Sequence, residues 1–145
     1  MSGRRRISGT RQAALSHPLS PTVRRFLRRP RIARLATISP GGYPHIVPIY
    51  FLVDGDTLVF GSDRDERKVK NARRHRQGAV VIGGEPDTDE AGYLIQGELS
   101  VEDDPGGRLM RRLARRYSSG SEAEEWAEGG GVIIRLSPRK VIRVW

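Results

Sequence analysis

The chain has 145 residues and a formal net charge of +9. Charged residues make up 30% of it, a fraction that is within the range of soluble globular proteins. It has no cysteine, so a disulfide framework and any cysteine-ligated metal site are excluded. We find no run of 18 apolar residues, and no apolar segment follows Arg4–Arg6. Neither a transmembrane helix nor a signal peptide is therefore predicted, and we expect a cytoplasmic location.

The excess of positive charge belongs to the N-terminal third of the chain. Residues 1–53 contain ten Arg and no Asp or Glu, whereas residues 54–145 contain 16 basic and 17 acidic residues. Residues 1–19 also have few large apolar side chains, so we interpret them as a disordered basic tail before a single domain of residues 20–145. A solvated tail is the simpler reading, and electrostatic binding to nucleic acid is the alternative that this charge allows.

The first half of the domain predicts one helix and three strands. A Ser-Pro pair at residues 20–21 predicts the start of a short helix, Thr22–Arg29. The apolar pattern predicts the strands Arg31–Ser39, Pro44–Val53 and Thr57–Ser62. Pro44–Val53 is apolar on both faces, which predicts burial on both. Asp54-Gly55 favours a tight hairpin, so we expect these strands to form an antiparallel meander.

The second half of the domain continues the same alternation of strands and helices. The predicted helices are residues 64–76, Gly106–Tyr117 and Glu122–Glu128, the last of which carries Trp126. The predicted strands are Gly78–Gly83, Tyr93–Glu102, Val132–Leu136 and Lys140–Trp145. Six or seven strands in hairpins with inserted helices indicate a mainly β fold, a single antiparallel barrel or sandwich.

Conventional catalytic motifs are missing from the sequence. His17, His45 and His75 are scattered without the spacing of metal ligands, so no metal site is predicted. The sequence has no Walker loop, dinucleotide-binding fingerprint or nucleophile elbow. An enzyme of this sequence would therefore rely on a cofactor for its chemistry. We assign no catalytic acid or base, and His45 and Tyr50 are the nearest candidates.

The start of the helix that follows Thr57–Ser62 has the features of an anion site. Ser62 and Asp63 can cap this helix, and Asp63 with Glu66 forms a capping-box pattern. Arg67 and Lys68 lie in its first turn, where free backbone N–H groups and the helix dipole attract anions. A hydroxyl and two cations can converge there on one phosphate, whereas the alternative reading is a solvated basic helix.

Pro48 interrupts a strongly apolar strand and suggests a second binding feature. Proline cannot donate to a ladder, so it belongs at an edge or a bulge. The backbone groups of its neighbours Val47, Ile49 and Tyr50 would then be free to bond a flat heterocycle. An ordinary edge strand is the alternative. Because the hairpin returns to Ser62, we expect both features along the same pair of strands.

Three segments resemble the pyridoxamine 5′-phosphate oxidase-like split β-barrel flavoproteins. They are RIARLATISPGGYPHIVPIYFLVDGDTLVFGS, ERKVKNARR and GYLIQGELSVED, which together fall within residues 30–103. The resemblance implies a six- or seven-stranded antiparallel split β-barrel that forms a homodimer with two cofactor sites at the subunit interface. It implies that Val47–Phe51 lies along the isoalloxazine ring. The residues that it places near the ribityl phosphate are Ser62, Asp63, Arg67 and Lys68. It also implies that Trp145 or Arg143 reaches the ring from the partner subunit.

The chain departs from the biosynthetic oxidase of that family. The second strand lacks the oxidase's basic residue and carries only His45, and the Arg-rich substrate signature near the C-terminus is not recognisable. Pyridoxamine phosphate is therefore not the expected substrate. The short chain and the PHIVP segment are more similar to the branches that use FMN or the 5-deazaflavin coenzyme F-420 as a hydride carrier.

The resemblance does not distinguish between FMN and F-420 as the cofactor. FMN needs only a compact phosphate site, whereas F-420 has a longer acidic tail that a groove lined by Lys70, Arg73 and Arg74 would suit. The expected function is a homodimeric flavin-type oxidoreductase that binds FMN and transfers hydride to or from a small molecule. The alternatives are an F-420-dependent reductase of the same fold and a non-catalytic flavin- or haem-binding module.

Overall fold

The computed structural model describes residues 17–88, 90–118 and 121–145, so the predicted tail falls mostly outside the described residues. Its strands are β1 (Ala33–Ile38), β2 (Pro44–Ile49), β3 (Leu52–Asp54), β4 (Thr57–Ser62), β5 (Gln77–Gly83), β6 (Gly92–Asp103) and β7 (Val132–Arg143). Its helices are α1 (Pro21–Leu27), α2 (Arg67–Arg74), α3 (Arg108–Tyr117) and α4 (Ser121–Glu128), with a 3₁₀ turn at Pro105–Gly107. None of the helices in these ranges combines the length and apolarity that crossing a membrane requires. The predicted mainly β class is confirmed.

The seven strands form one antiparallel sheet in the order β2-β1-β5-β6-β7-β4-β3. β2 and β3 therefore lie at opposite edges, yet only Tyr50 and Phe51 join them. Six strand spacings would separate these edges by about 29 Å in a flat sheet. The link spans at most about 11 Å, so the sheet must curl until its edges meet. This closure produces the split barrel that the resemblance implied.

The predicted strand Pro44–Val53 is wrong in its length and its burial. The chain leaves β2 after Ile49, crosses the split and enters β3 at Leu52. β2 pairs with β1 and β3 pairs with β4, so the three predicted strands do not form a meander. One face of β2 is also exposed in the single chain, where exposed Pro44, Ile46 and Pro48 alternate with half-buried residues. The tight hairpin at Gly55, with φ of 61°, is present between β3 and β4.

Apolar side chains from alternate strand positions and from the β2–β3 link fill the barrel. The largest of the fully buried ones include Phe51, Leu35, Leu58, Phe60, Ile95 and Leu99. Each side chain of this size contributes about 1.5–3 kcal/mol when it is removed from water. α1 packs against the same core through Leu27. Its predicted start at Ser20 is confirmed, since Ser20 Oγ accepts a hydrogen bond from Val23 N at 3.2 Å. The alternation that predicted strands therefore also placed the core.

Two other predicted boundaries differ from the structure. α2 begins at Arg67 with Glu66 as its N-cap residue and no side-chain cap, so the capping box is not formed. Ser62 Oγ instead donates to the Asp63 carbonyl at 3.0 Å, because a turn separates β4 from α2. The two predicted C-terminal strands are one strand, β7. The pairing of β7 with β6 shifts by one residue between Gln96 and Gly97, as at a β-bulge, and the strand continues through it.

Candidate functional site

A cleft of about 610 Å³ opens beside the place where the barrel edges meet. It is bordered by the β2–β3 link, the end of β4, the turn before α2, and the helices α3 and α4. Its apolar lining consists of Ile32, Pro48, Ile49, Tyr50, Met110, Leu113 and Trp126. Its polar side chains are Ser62, Asp63, Glu66, Lys68 and Glu125, and three glycines complete it. The cleft therefore has an apolar, aromatic part and a charged part.

Parallel aromatic rings form one wall of the cleft. The Tyr50 ring stacks on that of Tyr117, with centroids 4.0 Å apart and planes at 11°. The Trp126 ring lies on Tyr50 at 5.8 Å and 13°. Stacked aromatic pairs contribute about 0.5–1.5 kcal/mol each beyond their burial. The stack fixes Tyr50, which is 37% exposed, as a flat surface at the edge of the barrel.

Tyr117 also ties this wall to the backbone. Its hydroxyl donates to the Arg31 carbonyl at 2.7 Å and accepts from Phe51 N at 3.2 Å. Phe51 is fully buried, so its N–H needs a partner. α3, which carries Tyr117, is itself anchored at its start, where the Asp104 carboxylate accepts from Leu109 N at 3.0 Å and from Met110 N at 2.9 Å. Asp104 therefore caps the start of α3 across the short 3₁₀ turn.

The charged part of the cleft is organised by Lys68 and Glu66. The Lys68 side chain is only 12% exposed, and its Nζ donates to Glu66 Oε2 at 2.9 Å. This hydrogen bond and the charge of Lys68, with a smaller contribution from His45, hold the pKa of Glu66 below its usual value. Ser62 is buried beside the exposed Asp63. Two carboxylates and one ammonium therefore share this end of the cleft.

The outer face of α2 carries further cations. Arg67, Lys70 and Arg73 are exposed, and the parts of the chain that the structure describes place no carboxylate within ion-pair distance of them. Arg74 is used differently, because it donates to the Ile38 carbonyl at 2.6 Å. The first turn of α2 is bonded through Val69 N and Lys70 N to the Glu66 carbonyl. A strip of solvated positive charge therefore begins next to Lys68.

Six of the nine predicted cofactor residues line this cleft, namely Pro48, Ile49, Tyr50, Ser62, Asp63 and Lys68. Val47, Arg67 and Trp145 do not line it. The Trp145 carbonyl accepts from Gly92 N at 3.3 Å, and its side chain packs against Gly84. The expectation that Pro48 and Ser62 share a pair of strands is wrong. β2 and β4 are not neighbours in the sheet and approach one another only because the barrel closes.

Sequence reasoning missed the lining that α3 and α4 supply. The sequence pattern places Met110 in the apolar stripe of a helix and Trp126 in an acidic helix, and it links neither residue to a binding site. The available signal was a tryptophan in an otherwise acidic segment just before Gly129–Gly131, where a large apolar ring needs a partner. Within the described ranges, no three His, Asp or Glu side chains come close enough together to hold a metal ion.

Comparison with known proteins defines the family. The sequence matches the pyridoxamine 5′-phosphate oxidase family over residues 19–145, so the chain belongs to that family. A search of curated protein sequences gave no match.

Solved structures support the same assignment. An F-420 reductase is 26% identical, with a TM-score of 0.70 over 80% of this chain and 92% of that one. A conserved hypothetical protein of Mycobacterium tuberculosis has 20% identity and a TM-score of 0.71 over 86% and 83% of the two chains. HutZ, the haem storage protein of Vibrio cholerae, has 14% identity and a TM-score of 0.70 over 86% and 94%. The last two show the shared fold alone.

Proposed function

We propose that the protein is an oxidoreductase that binds a flavin-type cofactor in the cleft and exchanges hydride with a small molecule. One observation carries the proposal: a single cleft is lined both by an aromatic, apolar wall and by Lys68 with Ser62. A cofactor with a flat ring system and a phosphate has the same two parts. When bound, the ring would supply the hydride chemistry, and the chain would supply binding, orientation and exclusion of water.

The residues of the apolar end fit a flat ring. Among the residues that the structure describes, β2 is an edge strand, so its backbone groups that point away from β1 have no strand partner there. These groups and the exposed ring of Pro48 border the cleft beside the fixed Tyr50. Met110, Leu113 and Trp126 line it from the helices. A heterocycle that has its own donors and acceptors could bond the strand edge while its faces contact apolar groups.

The residues of the charged end fit one phosphate. Lys68 offers an ammonium group that is largely shielded from solvent, which strengthens its attraction for an anion. Ser62 Oγ donates its hydrogen bond to the Asp63 carbonyl. Rotation of the hydroxyl would let it donate to a phosphate oxygen instead. Arg67 lies outside the cleft but begins the cationic strip of α2. Lys68 is therefore the residue that we propose contacts the phosphate directly.

Between the two cofactors, we propose F-420 ahead of FMN, which reverses the order that the sequence suggested. The support is the F-420 reductase that is 26% identical over 80% of this chain. A second support is the cationic strip of α2, formed by Arg67, Lys70 and Arg73, because a longer acidic tail could follow it away from Lys68.

Titration of purified apoprotein with each cofactor tests this order. We expect micromolar binding of F-420, with an affinity that falls steeply with salt, and at least about tenfold weaker binding of FMN. Arg73→Ala should weaken the binding of F-420 but not the binding of FMN. Tighter binding of FMN would reverse the assignment, and failure of both cofactors to bind at micromolar concentration would contradict the proposed function.

We propose that the site belongs to a homodimer. Pro44, Ile46 and Pro48 project from the outer face of β2, and Ile46 is 63% exposed. Ala36 lies opposite Ile46 and Ile38 opposite Pro44 on the same face of β1, whereas Arg34 lies opposite Pro48 and bounds the apolar part. An exposed apolar strip of this kind on a sheet face marks an interaction surface. A second copy of the chain that covered this strip would border the cleft at Pro48 and could bring its own Trp145 to the cofactor.

Sedimentation velocity tests the dimer. Ile46→Lys should convert a dimer to a monomer, because a lysine placed in the middle of an apolar interface is buried without a partner. The exposed Tyr43 lies outside the strip, so Tyr43→Ser serves as the matched control and should leave the dimer intact. A wild-type protein that sediments as a monomer at micromolar concentration would contradict the proposal.

Turnover distinguishes the enzyme from a binding module that uses the same cleft. Cofactor-loaded protein would be mixed anaerobically with candidate hydride acceptors, and oxidation of the reduced ring would be followed by absorbance. Oxidation by any acceptor at a rate above that of free cofactor supports the oxidoreductase. Binding without oxidation by any acceptor favours the non-catalytic module.

A further inference from the structure

Lys68 is the one cation in the cleft lining that the described residues provide, and in the free protein it is already engaged. Its Nζ lies 2.9 Å from Glu66 Oε2. The ammonium is largely shielded, with 12% of the side chain exposed, whereas the Glu66 side chain is 49% exposed. The carboxylate therefore approaches Lys68 from the solvent side, the side from which a ligand would also enter.

The position of Glu66 makes this pairing unusual for a helix start. Glu66 is the N-cap residue of α2, where a side-chain oxygen commonly accepts a hydrogen bond from a backbone amide of the first turn. Its carboxylate makes no such bond and is directed to Lys68 instead. The lowered pKa of Glu66 means that the group is ionised at neutral pH. A phosphate that reaches Lys68 would meet this negative charge, as well as that of Asp63.

We propose that Glu66 is an internal anion that occupies Lys68 until a phosphate displaces it, and that it thereby sets the affinity of the cleft for phosphate-bearing ligands. The inference rests on the proposed function and adds a specificity-determining residue to it. The carboxylate keeps the flexible Lys68 side chain ordered in the free protein, which lowers the entropy lost on binding. It also rejects weak monoanions, because they cannot replace a charge-assisted hydrogen bond that is already formed.

Glu66→Gln tests this role, because it removes the charge and keeps the size of the side chain. Dissociation constants would be measured for two pairs of ligands: FMN with riboflavin, and F-420 with its phosphate-free deazaflavin chromophore. We expect the variant to bind the phosphate-bearing member of at least one pair about three- to thirtyfold more tightly, the range for a partly exposed charged hydrogen bond. The phosphate-free member should change by less than about twofold.

Two further variants make the comparison specific. Glu124→Gln removes the same charge from an exposed carboxylate that pairs with Arg111 outside the cleft lining, so it should leave both dissociation constants unchanged. Lys68→Met should weaken binding of the phosphate-bearing ligand. Adding Glu66→Gln to it should then bring a much smaller gain in affinity than in the wild type, because only the direct repulsion between the carboxylate and the phosphate is removed. Such non-additivity identifies Lys68 as the group through which Glu66 acts.

The outcomes separate this inference from the proposed function. Unchanged or weaker binding of the phosphate-bearing ligands by Glu66→Gln overturns the inference, even though cofactor binding itself stands. If no cofactor binds either protein, the proposed function fails, and inorganic phosphate becomes the probe, followed through the Lys68 ammonium signal by NMR. Tighter phosphate binding by the variant than by the wild type then supports the inference, and absence of phosphate binding by both overturns it.

Discussion

Removal of the hydroxyl oxygen of Tyr117 tests whether its hydrogen bonds hold the two edges of the barrel together. The hydroxyl donates to the Arg31 carbonyl at 2.7 Å and accepts from Phe51 N at 3.2 Å, in the middle of the two-residue link between β2 and β3. Tyr117→Phe keeps the stack on Tyr50 but removes both hydrogen bonds. The Phe51 N–H is the critical group, because Phe51 is fully buried and water cannot readily replace the lost partner.

The expected effect follows from these two bonds. An unsatisfied buried N–H costs about 1–3 kcal/mol, and the carbonyl of the half-buried Arg31 loses about 0.5–1.5 kcal/mol. We therefore expect the free energy of unfolding to fall by about 1.5–3 kcal/mol, since the carbonyl can recover part of its loss from solvent. In a domain of this size that corresponds to a melting temperature lowered by about 5–10 °C. Cofactor affinity should fall too, because Tyr50 immediately precedes the loosened residue.

Urea unfolding followed by circular dichroism gives the measurement, with Tyr43→Phe as the matched control. Tyr43 is 80% exposed, so its variant should stay within about 0.5 kcal/mol of the wild type. The m-value should be unchanged, since the surface buried on folding is the same. A Tyr117→Phe variant as stable as this control would show that the hydroxyl does not hold the split, and other contacts would have to keep the two edges of the barrel together.

Two more predictions concern the ion pair at the end of β3 and the register shift between β6 and β7. A hydrogen bond from Arg135 holds the pKa of Asp54 below its usual value, so this stabilisation is present at neutral pH and is lost as pH falls through the lowered pKa. Asp54→Asn should therefore lower the free energy of unfolding at pH 7 and flatten its decrease toward pH 2, as measured by urea unfolding. A Cβ at Gly97 would overlap the Ser137 carbonyl, so Gly97→Ala should destabilise the fold by more than about 2 kcal/mol in thermal unfolding. Gly41→Ala, which meets nothing closer than 3.8 Å, is its control; equal melting temperatures would contradict the steric argument.

The corrected strand shows how far an apolar pattern can be read. The run Pro44–Val53 predicted one strand buried on both faces, and the structure has two edge strands that meet across the split. The pattern recorded that this run is apolar on both faces, but it could not say what covers them. The inner face of β2 packs in the barrel, whereas the outer face, with Ile46, is exposed in the single chain. A second copy of the chain would cover it in the dimer that we propose.

The charged residues at the start of α2 show the same limit. The sequence predicted a cluster of cations at a helix start, and α2 does begin at Arg67. Whether a cation enters the cleft depends on the direction of its side chain, which places Lys68 in the lining and Arg67 outside it. The predicted use of Glu66 in a capping box was wrong, because the carboxylate pairs with Lys68. Charge and spacing did not distinguish between these two local arrangements.

The sequence by itself determined the features that depend on a few neighbouring residues. The cap at Ser20 and the hairpin at Gly55 follow from short-range geometry, and the composition of the core follows from the burial of every second side chain in a strand. Only the tertiary structure decided what depends on closure of the sheet. Because the two edges meet, residues from β2, β4, α3 and α4 that are tens of positions apart form one cleft, and Trp126 comes to lie on Tyr50.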